Sequence, residues 1–372
     1  MRGSLSTIPV EVTSGLAVLV LVAGCEALFD ESLVDEARMQ NAVCDGRQPP
    51  ERPDVPDGPD VGGPYHFVAH EMDVNTEVSW REIGLNLDGL CSGGDDPVVE
   101  CRPPSGGEPE RDGIEGIDNV IAHHLGPLAL LLEPRLESLL LEGWARGNNS
   151  VVIRVEGWNG EDDDPEIDVS FAHSVYGAAP AEDGSAPEVV WDGELATLAD
   201  GAPALPAWEG DDYFWMRAEN FVDGDVEEPV LHADQAWMSS RVLVAELPDD
   251  ASFIVPLLVG PSGAVNRVQL ISGVLFARLS ADGRSLEEIV LAGRWASGAL
   301  LEQVALAGYC PGSVEHDIAS SLFDDILDIR VTSGTGGEGV LCDGASFAVR
   351  GRATLARAAG TEAVEAPPPA CP

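Results

Sequence analysis

Residues 166 to 176 read EIDVSFAHSVY, with Ile167, Val169 and Phe171 on one side of an extended chain and Asp168 and Ser170 on the other. Alternation of period two is the pattern of a strand with one buried face. Residues 151 to 158, VVIRVEGW, are equally rich in β-branched side chains, and the intervening NGEDDDP carries Asn-Gly and Asp-Pro turn chemistry. The two segments are therefore predicted to form a hairpin. ASFIVPLLV from 251 and VNRVQLISGVLFARLS from 265 are also β-rich. Near the end, SFAVRGRATLA (346 to 356) places Phe347, Val349, Ala353 and Leu355 on one face and Arg350, Arg352 and Thr354 on the other. That strand is expected to have a dry side and a wet side.

Two regions follow a helical period instead. Ile117, Ile121, Leu125, Leu128, Leu132, Leu136 and Leu139 recur at helical spacing, with Pro127 and Pro134 placed to kink or divide the segment. Residues 314 to 329 place Ile318, Leu322 and Ile326 four apart, which predicts a shorter second helix. Many strands between turn signals, plus a few helices, predict a mainly β fold: a β-sandwich or jelly-roll-like domain with one or two amphipathic helices, with α+β as the alternative. No fixed-period repeat is present.

The apolar run Leu16–Ala23 is too short to cross a bilayer, since eight helical residues rise about 12 Å against a hydrocarbon core of ~30 Å. It suits the hydrophobic core of a signal peptide, although Arg2 is the only basic residue before it and Glu11 is acidic. The run ends in Leu21-Val22-Ala23-Gly24-Cys25, which resembles a bacterial lipobox. The resemblance implies that residues 1–24 are removed as a lipoprotein signal peptide and that Cys25 is acylated as the first mature residue. Several acyl chains on one residue anchor stably where one would not. Glu26, rather than Asp, follows the cysteine, so the resemblance favours the outer membrane.

Residues 25–64 are acidic and proline-rich, with RQPPERPDVPDGPDVGGP at their end. Proline stiffness and like-charge repulsion predict an extended tether. The folded domain is then expected to run from 65 to 360 with a helical insert at about 114–145, leaving 361–372 as a flexible tail.

Composition narrows the partners. The 372-residue chain carries 65 acidic and 20 basic residues for a net charge of −45, and every basic residue is Arg. Such a charge repels phosphate backbones and anionic lipid, so nucleic acid is excluded as a natural partner and any membrane contact is left to the lipid. A hydrophobic share of 44% is enough for a sizeable core.

With Cys25 lipidated, Cys44, Cys91, Cys101, Cys310, Cys342 and Cys371 remain. An even set in an exported chain reads as disulfides. Cys91 and Cys101 close the short loop CSGGDDPVVEC and are expected to pair; Cys310–Cys342 and Cys44–Cys371 then follow by elimination.

Candidate chemistry concentrates in WREIGLNLDGLC (80 to 91) and DGIEGIDN (112 to 119), on either side of the Cys91–Cys101 loop. Asp88, Asp95, Asp96, Asp112, Asp118 and Asn119 offer the oxygen ligands that Ca²⁺ prefers, but no complete EF-hand loop is present. The competing reading is a loop held by a disulfide, with Asp118 or Asn119 capping the next helix. These stretches form a WR-I-G…LDG-C…C…GIDN pattern that resembles surface lipoproteins of GC-rich proteobacteria, a likeness that implies no activity. His66 and His70 fit one strand face, His123 and His124 are expected to diverge on their helix, and His173, His232 and His316 stand alone.

Trp208, Tyr213 and Trp215 lie beside Glu209, Asp211 and Asp212, which suits either sugar binding or a strand after an acidic turn. No G-x-S-x-G, HExxH, CxxC, Walker or Rossmann pattern is present. The sequence favours an exported, non-catalytic structural or ligand-binding protein with a glycan or protein partner; the alternative is a carbohydrate-active or carbohydrate-binding protein on a β-sandwich, whose paired carboxylates would be hidden among so many acids.

Overall fold

The computed structural model describes residues 46–73, 80–92, 99–124, 142–147, 150–180, 190–191, 196–197, 205–249, 251–254, 267–337, 339–362 and 371. The expected signal peptide, Cys25, Cys44, Asp95 and Asp96 lie outside these residues, as does the middle of the helical insert.

The chain is mainly β, as its alternation predicts. Its strands are β1 (Tyr65–Met72), β2 (Ser150–Glu156), β3 (Asp168–Gly177), β4 (Val190–Trp191), β5 (Ala196–Thr197), β6 (Tyr213–Arg217), β7 (Leu231–His232), β8 (Gln235–Ser239), β9 (Val242–Glu246), β10 (Ala251–Ile254), β11 (Arg267–Leu279), β12 (Ser285–Ala296) and β13 (Gly344–Glu362). β4 and β5 pair only with each other; the rest form one eleven-stranded sheet ordered β1-β2-β3-β6-β13-β12-β11-β9-β8, with β7 on β3 and β10 on β11. The expected hairpin is present: β2 and β3 run antiparallel, with Val152 opposite Ala172 and Ile153 opposite Phe171.

The long strand β13 organises the sheet. β1 also pairs with β13, so β1, β2, β3, β6 and β13 form a closed circuit. Val68, Val152, Ala172, Phe214, Met216 and Ala356, drawn from all five strands, make one buried cluster. On the other side the sheet curls until β8 meets the approach to β3: Asp164 and Met238 exchange backbone bonds of 2.9 and 2.8 Å, and Ile167 N–H donates to Ala236 O at 3.1 Å. The larger core lies inside this second, sandwich-like enclosure and includes Phe67, Ile153, Phe171, Leu243, Leu275, Leu291 and Phe347. Phe67 and Val68, adjacent in β1, thus face different cores.

Several expectations need correction. The second face of β13 is not wet throughout: Ser346 is fully buried and Ala348 packs with Ile83, Leu85, Val290 and Ala292 beneath the 80–90 segment. The described part of the expected tether, 46–64, is a strap on the domain. Arg47 N–H donates to Glu115 O and Asn86 N–H to Arg47 O, both at 2.9 Å; Trp237 Nε1 donates to Pro50 O at 3.1 Å, and Val61 N–H to Trp158 O at 3.0 Å. Proline and aspartate keep the strap from packing inside, yet its backbone still finds partners at the surface.

Helix α1 (Ser297–Leu306) was not signalled by the hydrophobic pattern, whereas α2 (Val314–Ile326) was. α2 is capped by Ser313, whose side chain accepts from His316 N–H, and it buries Phe323 and Ile326. Ile318, expected on the buried face, is 64% exposed. Of the expected insert, residues 120–124 and 142–145 are helical.

The expected cysteine pairings are also replaced. Cys101 bonds Cys342, and Cys310 bonds Cys371. Cys91 is disulfide-bonded too, but not to Cys101. The bridge to Cys310 ties Cys371, within the expected flexible tail, back to the domain.

Candidate functional site

The stretches 80–92 and 110–124 come together over the outer face of β12 and β13. Asp118 N–H donates to Leu85 O at 3.0 Å, joining the two in a short bridge. Glycine permits the approach: a Cβ on Gly113 would lie 2.5 Å from Arg81 O, and one on Gly116, at φ +71°, would lie 2.6 Å from Asn86 Nδ2. Asn119 caps the helical residues 120–124, its Oδ1 accepting from Ala122 N–H at 3.3 Å. The same side chain exchanges bonds with β13, donating to Ala348 O and accepting from Ala348 N–H, both at 3.0 Å. Asn119 is thus a fastener, its amide engaged by Ile83, Ala122 and Ala348.

Asp88, Asp112 and Asp118 do converge, and Asp328 joins them from beyond α2. Asp118 Oδ2 accepts from Leu87 N–H at 2.7 Å and Asp88 N–H at 3.3 Å. Asp112 is held by both the N–H and the hydroxyl of Ser92, each at 2.7 Å. Ser346 Oγ accepts from Val120 N–H at 2.8 Å and donates to Asp328 Oδ2 at 2.5 Å, so the helix start reaches the carboxyl through one hydroxyl.

Burial sets the protonation of this group. It raises Asp328 to about 7 and Asp112 to about 6, against the bonds from Ser346 and Ser92. Burial, reinforced by the charges of Asp112, Asp88 and Asp328, lifts Asp118 well above the ordinary carboxyl range. Asp88 is also raised, chiefly by burial. Beside the cluster, Glu100 pairs with the buried Arg294 at 3.2 Å and accepts from Arg330 N–H at 2.8 Å. Arg294 also donates to the carbonyls of Leu87 and Arg330, which ties β12 to both flanking loops.

Glu110 is the exception among the acids. Burial pushes its carboxyl up, but His123 and His124 outweigh this and hold it down at about 2. His123 Nδ1 lies 3.5 Å from one carboxylate oxygen and His124 Nε2 lies 2.9 Å from the other. Trp80 stacks on the His123 ring with centroids 4.1 Å apart and planes 19° from parallel. The expected divergence of the two histidines is therefore overturned. Successive helical residues do diverge at Cβ, but here one ring presents its near nitrogen and the other its far nitrogen. A cleft lined by Trp80, Glu110, Arg111, Asp112, Asp118, Asn119, Val120, His123 and Asp328 opens beside them.

Of the set expected to bind calcium, Asp95 and Asp96 lie outside the described residues. Asn119 is committed elsewhere, and oxygens of Asp88, Asp112 and Asp118 already accept hydrogen bonds. Glu110 and Asp328 carried no sequence signal, because one stands in a Pro/Gly/Glu stretch and the other arrives through tertiary packing.

The aromatic candidates do not form a shared platform. Trp215 is buried at 4% exposure, with Nε1 donating to Ala178 O at 3.0 Å. Trp208 stacks on His70 with centroids 4.3 Å apart. Tyr213 sits under Arg357, which pairs with Asp211 at 2.6 Å. The WEGDDYFW string is thus a strand entry whose rings serve the smaller core and its rim.

Among the described residues, no helix is long and apolar enough to cross a membrane. No family model, curated protein or solved structure matches this chain.

Proposed function

We propose that the chain is an exported lipoprotein, anchored to the outer membrane through acylated Cys25, whose β domain has a structural or ligand-binding role rather than a catalytic one. The disulfides Cys101–Cys342 and Cys310–Cys371 carry this reading, because such bonds persist in oxidising compartments outside the cytosol. The lipobox-like LVAGC supplies the anchor. A role other than catalysis is supported by how the acidic residues are used: Asp112, Asp118 and Asp328 spend their oxygens on backbone and serine groups that join loops. Partners are the membrane through the lipid and a glycan or protein ligand, with nucleic acid disfavoured by the net charge. The carbohydrate alternative is weakened by the burial of Trp215, while Trp208 and Tyr213 stay partly exposed.

The test is metabolic labelling in a bacterial host with a fatty-acid analogue, followed by membrane fractionation. The wild-type chain is expected to take up label and co-fractionate with the outer membrane, while Cys25→Ser should take up none and leave the membrane fraction. An unlabelled wild-type chain would sink the proposal. Retention of the soluble form on a polysaccharide panel in high salt would favour the glycan over the protein ligand.

A further inference from the structure

We propose that Glu110, His123 and His124 form a binding site for one divalent transition-metal ion of the Zn²⁺ class. One ligand atom from each residue lies within 4.8 Å of the other two. Tetrahedral Zn²⁺ with bonds of roughly 2.1 Å needs ligand atoms roughly 3.4 Å apart. His123 Nδ1 lies 3.5 Å from one Glu110 oxygen and His124 Nε2 lies 2.9 Å from the other, so each imidazole nitrogen stands close to that spacing from the carboxylate.

A second observation is burial. His123 Nδ1 and His124 Nε2 are both shut off from solvent and both turn toward the one Glu110 carboxylate. Two imidazole nitrogens converging on one carboxylate are the donor arrangement that a shared cation uses. The rings themselves are only partly covered, at 34% and 31% side-chain exposure, so an ion has a route in.

The donor set selects the ion. Imidazole nitrogen with carboxylate suits Zn²⁺ and its neighbours, whereas Ca²⁺ and Mg²⁺ favour all-oxygen shells. Three protein ligands leave one position for water. Asp112 and Asp328 line the neighbouring cleft. Trp80 fixes the plane of the His123 ring, which reduces the ordering left to the metal.

The test uses the purified full-length chain with its disulfides intact, stripped with a chelator and titrated with Co²⁺ as a visible-band reporter and then with Zn²⁺. One equivalent of Co²⁺ is expected to give a d–d band that one equivalent of Zn²⁺ abolishes. His124→Ala should weaken binding by at least the ~10–100-fold that even an outer partner is worth. His232→Ala, an exposed histidine elsewhere, should bind as wild type does.

A wild-type chain that gives no band and no Zn²⁺-dependent rise in Tm overturns the proposal. So does a His124→Ala variant that folds and binds normally, or a Tm rise produced by Ca²⁺ but not Zn²⁺. Should the variant fail to fold, histidine modification by diethylpyrocarbonate decides in the unmutated chain. Zn²⁺ should protect His123 and His124 while His232 stays reactive, and equal reactivity with and without metal overturns the site.

Discussion

Asp328 shows how a single buried carboxyl writes pH into stability. Its folded value is raised to about 7 by burial, while the unfolded chain titrates near 3.8. The protonated side chain therefore stabilises the fold fully below the unfolded value, and this contribution is lost as pH rises through about 7. His66, lowered to about 4 by burial and then by Arg154, works in the opposite sense, so a difference between two chains is the clean measurement. Asp328→Asn cannot ionise and should match wild type near pH 4. At about pH 8 it should be the more stable, by up to ~4 kcal/mol for a shift of about three units at ~1.4 kcal/mol each. Paired thermal melts across that range check this, and a constant gap would mean that burial is not what holds the proton. Asp88, Asp112 and Asp118 were legible as a site because they sit in two unusual local stretches. Asp328 was not, since only the Ser346 bond and the turn after α2 bring it there. His123 and His124 were misread because Cβ directions alone do not say which ring nitrogen is offered.

Strands were legible in proportion to how cleanly one face stayed dry. β2 and β3 read correctly from alternation and turn chemistry, while β13 misled because loops cover half of its second face. α1 carries little sequence signal because SGALLEQVAL opens on small residues, has no side-chain cap and is apolar nearly all round. α2 carries the Ser313 cap and acidic residues in its first turn, which any helix start rewards. Packing between elements is tight where β3 passes β6: a Cβ on Gly177 would lie 2.4 Å from Trp215 Cδ1. Gly177→Ala should therefore cost about 1–3 kcal/mol by overpacking. Gly298, in the first turn of α1, meets nothing within 4 Å, and Gly298→Ala should be neutral or stabilise by up to ~1 kcal/mol. Urea unfolding of the two variants checks the contrast, and equal effects would refute it.

At the scale of the molecule, sequence proximity was a poor guide to covalent closure. Arg102 pairs with Leu341 in a parallel bridge, with Arg102 N–H donating to Val340 O and Cys342 N–H to Arg102 O, each at 2.8 Å. That bridge sets Cys101 against Cys342 across 241 positions, while Cys310–Cys371 spans 61. Chain entropy makes the longer closure the more stabilising, by about 1 kcal/mol at 25 °C. Replacing Cys101 and Cys342 by Ser should cost more than replacing Cys310 and Cys371, each on the order of 2–5 kcal/mol, as read from denaturant midpoints. The reverse order would show that strain or residual structure outweighs closure.

The strap over residues 46–64 also determines how the domain would carry a mechanical load. Cys91 is disulfide-bonded, and to none of Cys101, Cys310, Cys342 and Cys371, so tension arriving from the N-terminal side would enter the 80–92 segment through that bond as well as through the Arg47, Pro50 and Val61 contacts of the strap. Those contacts are spaced along the chain and would share the load with the bond. Beyond them β1 is gripped on both edges, by β2 and by β13, and a pull along its length would have to shear both ladders together. Strap and bond would then act in parallel ahead of a stiff core, limiting how far the chain could lengthen under drag before any strand is lost.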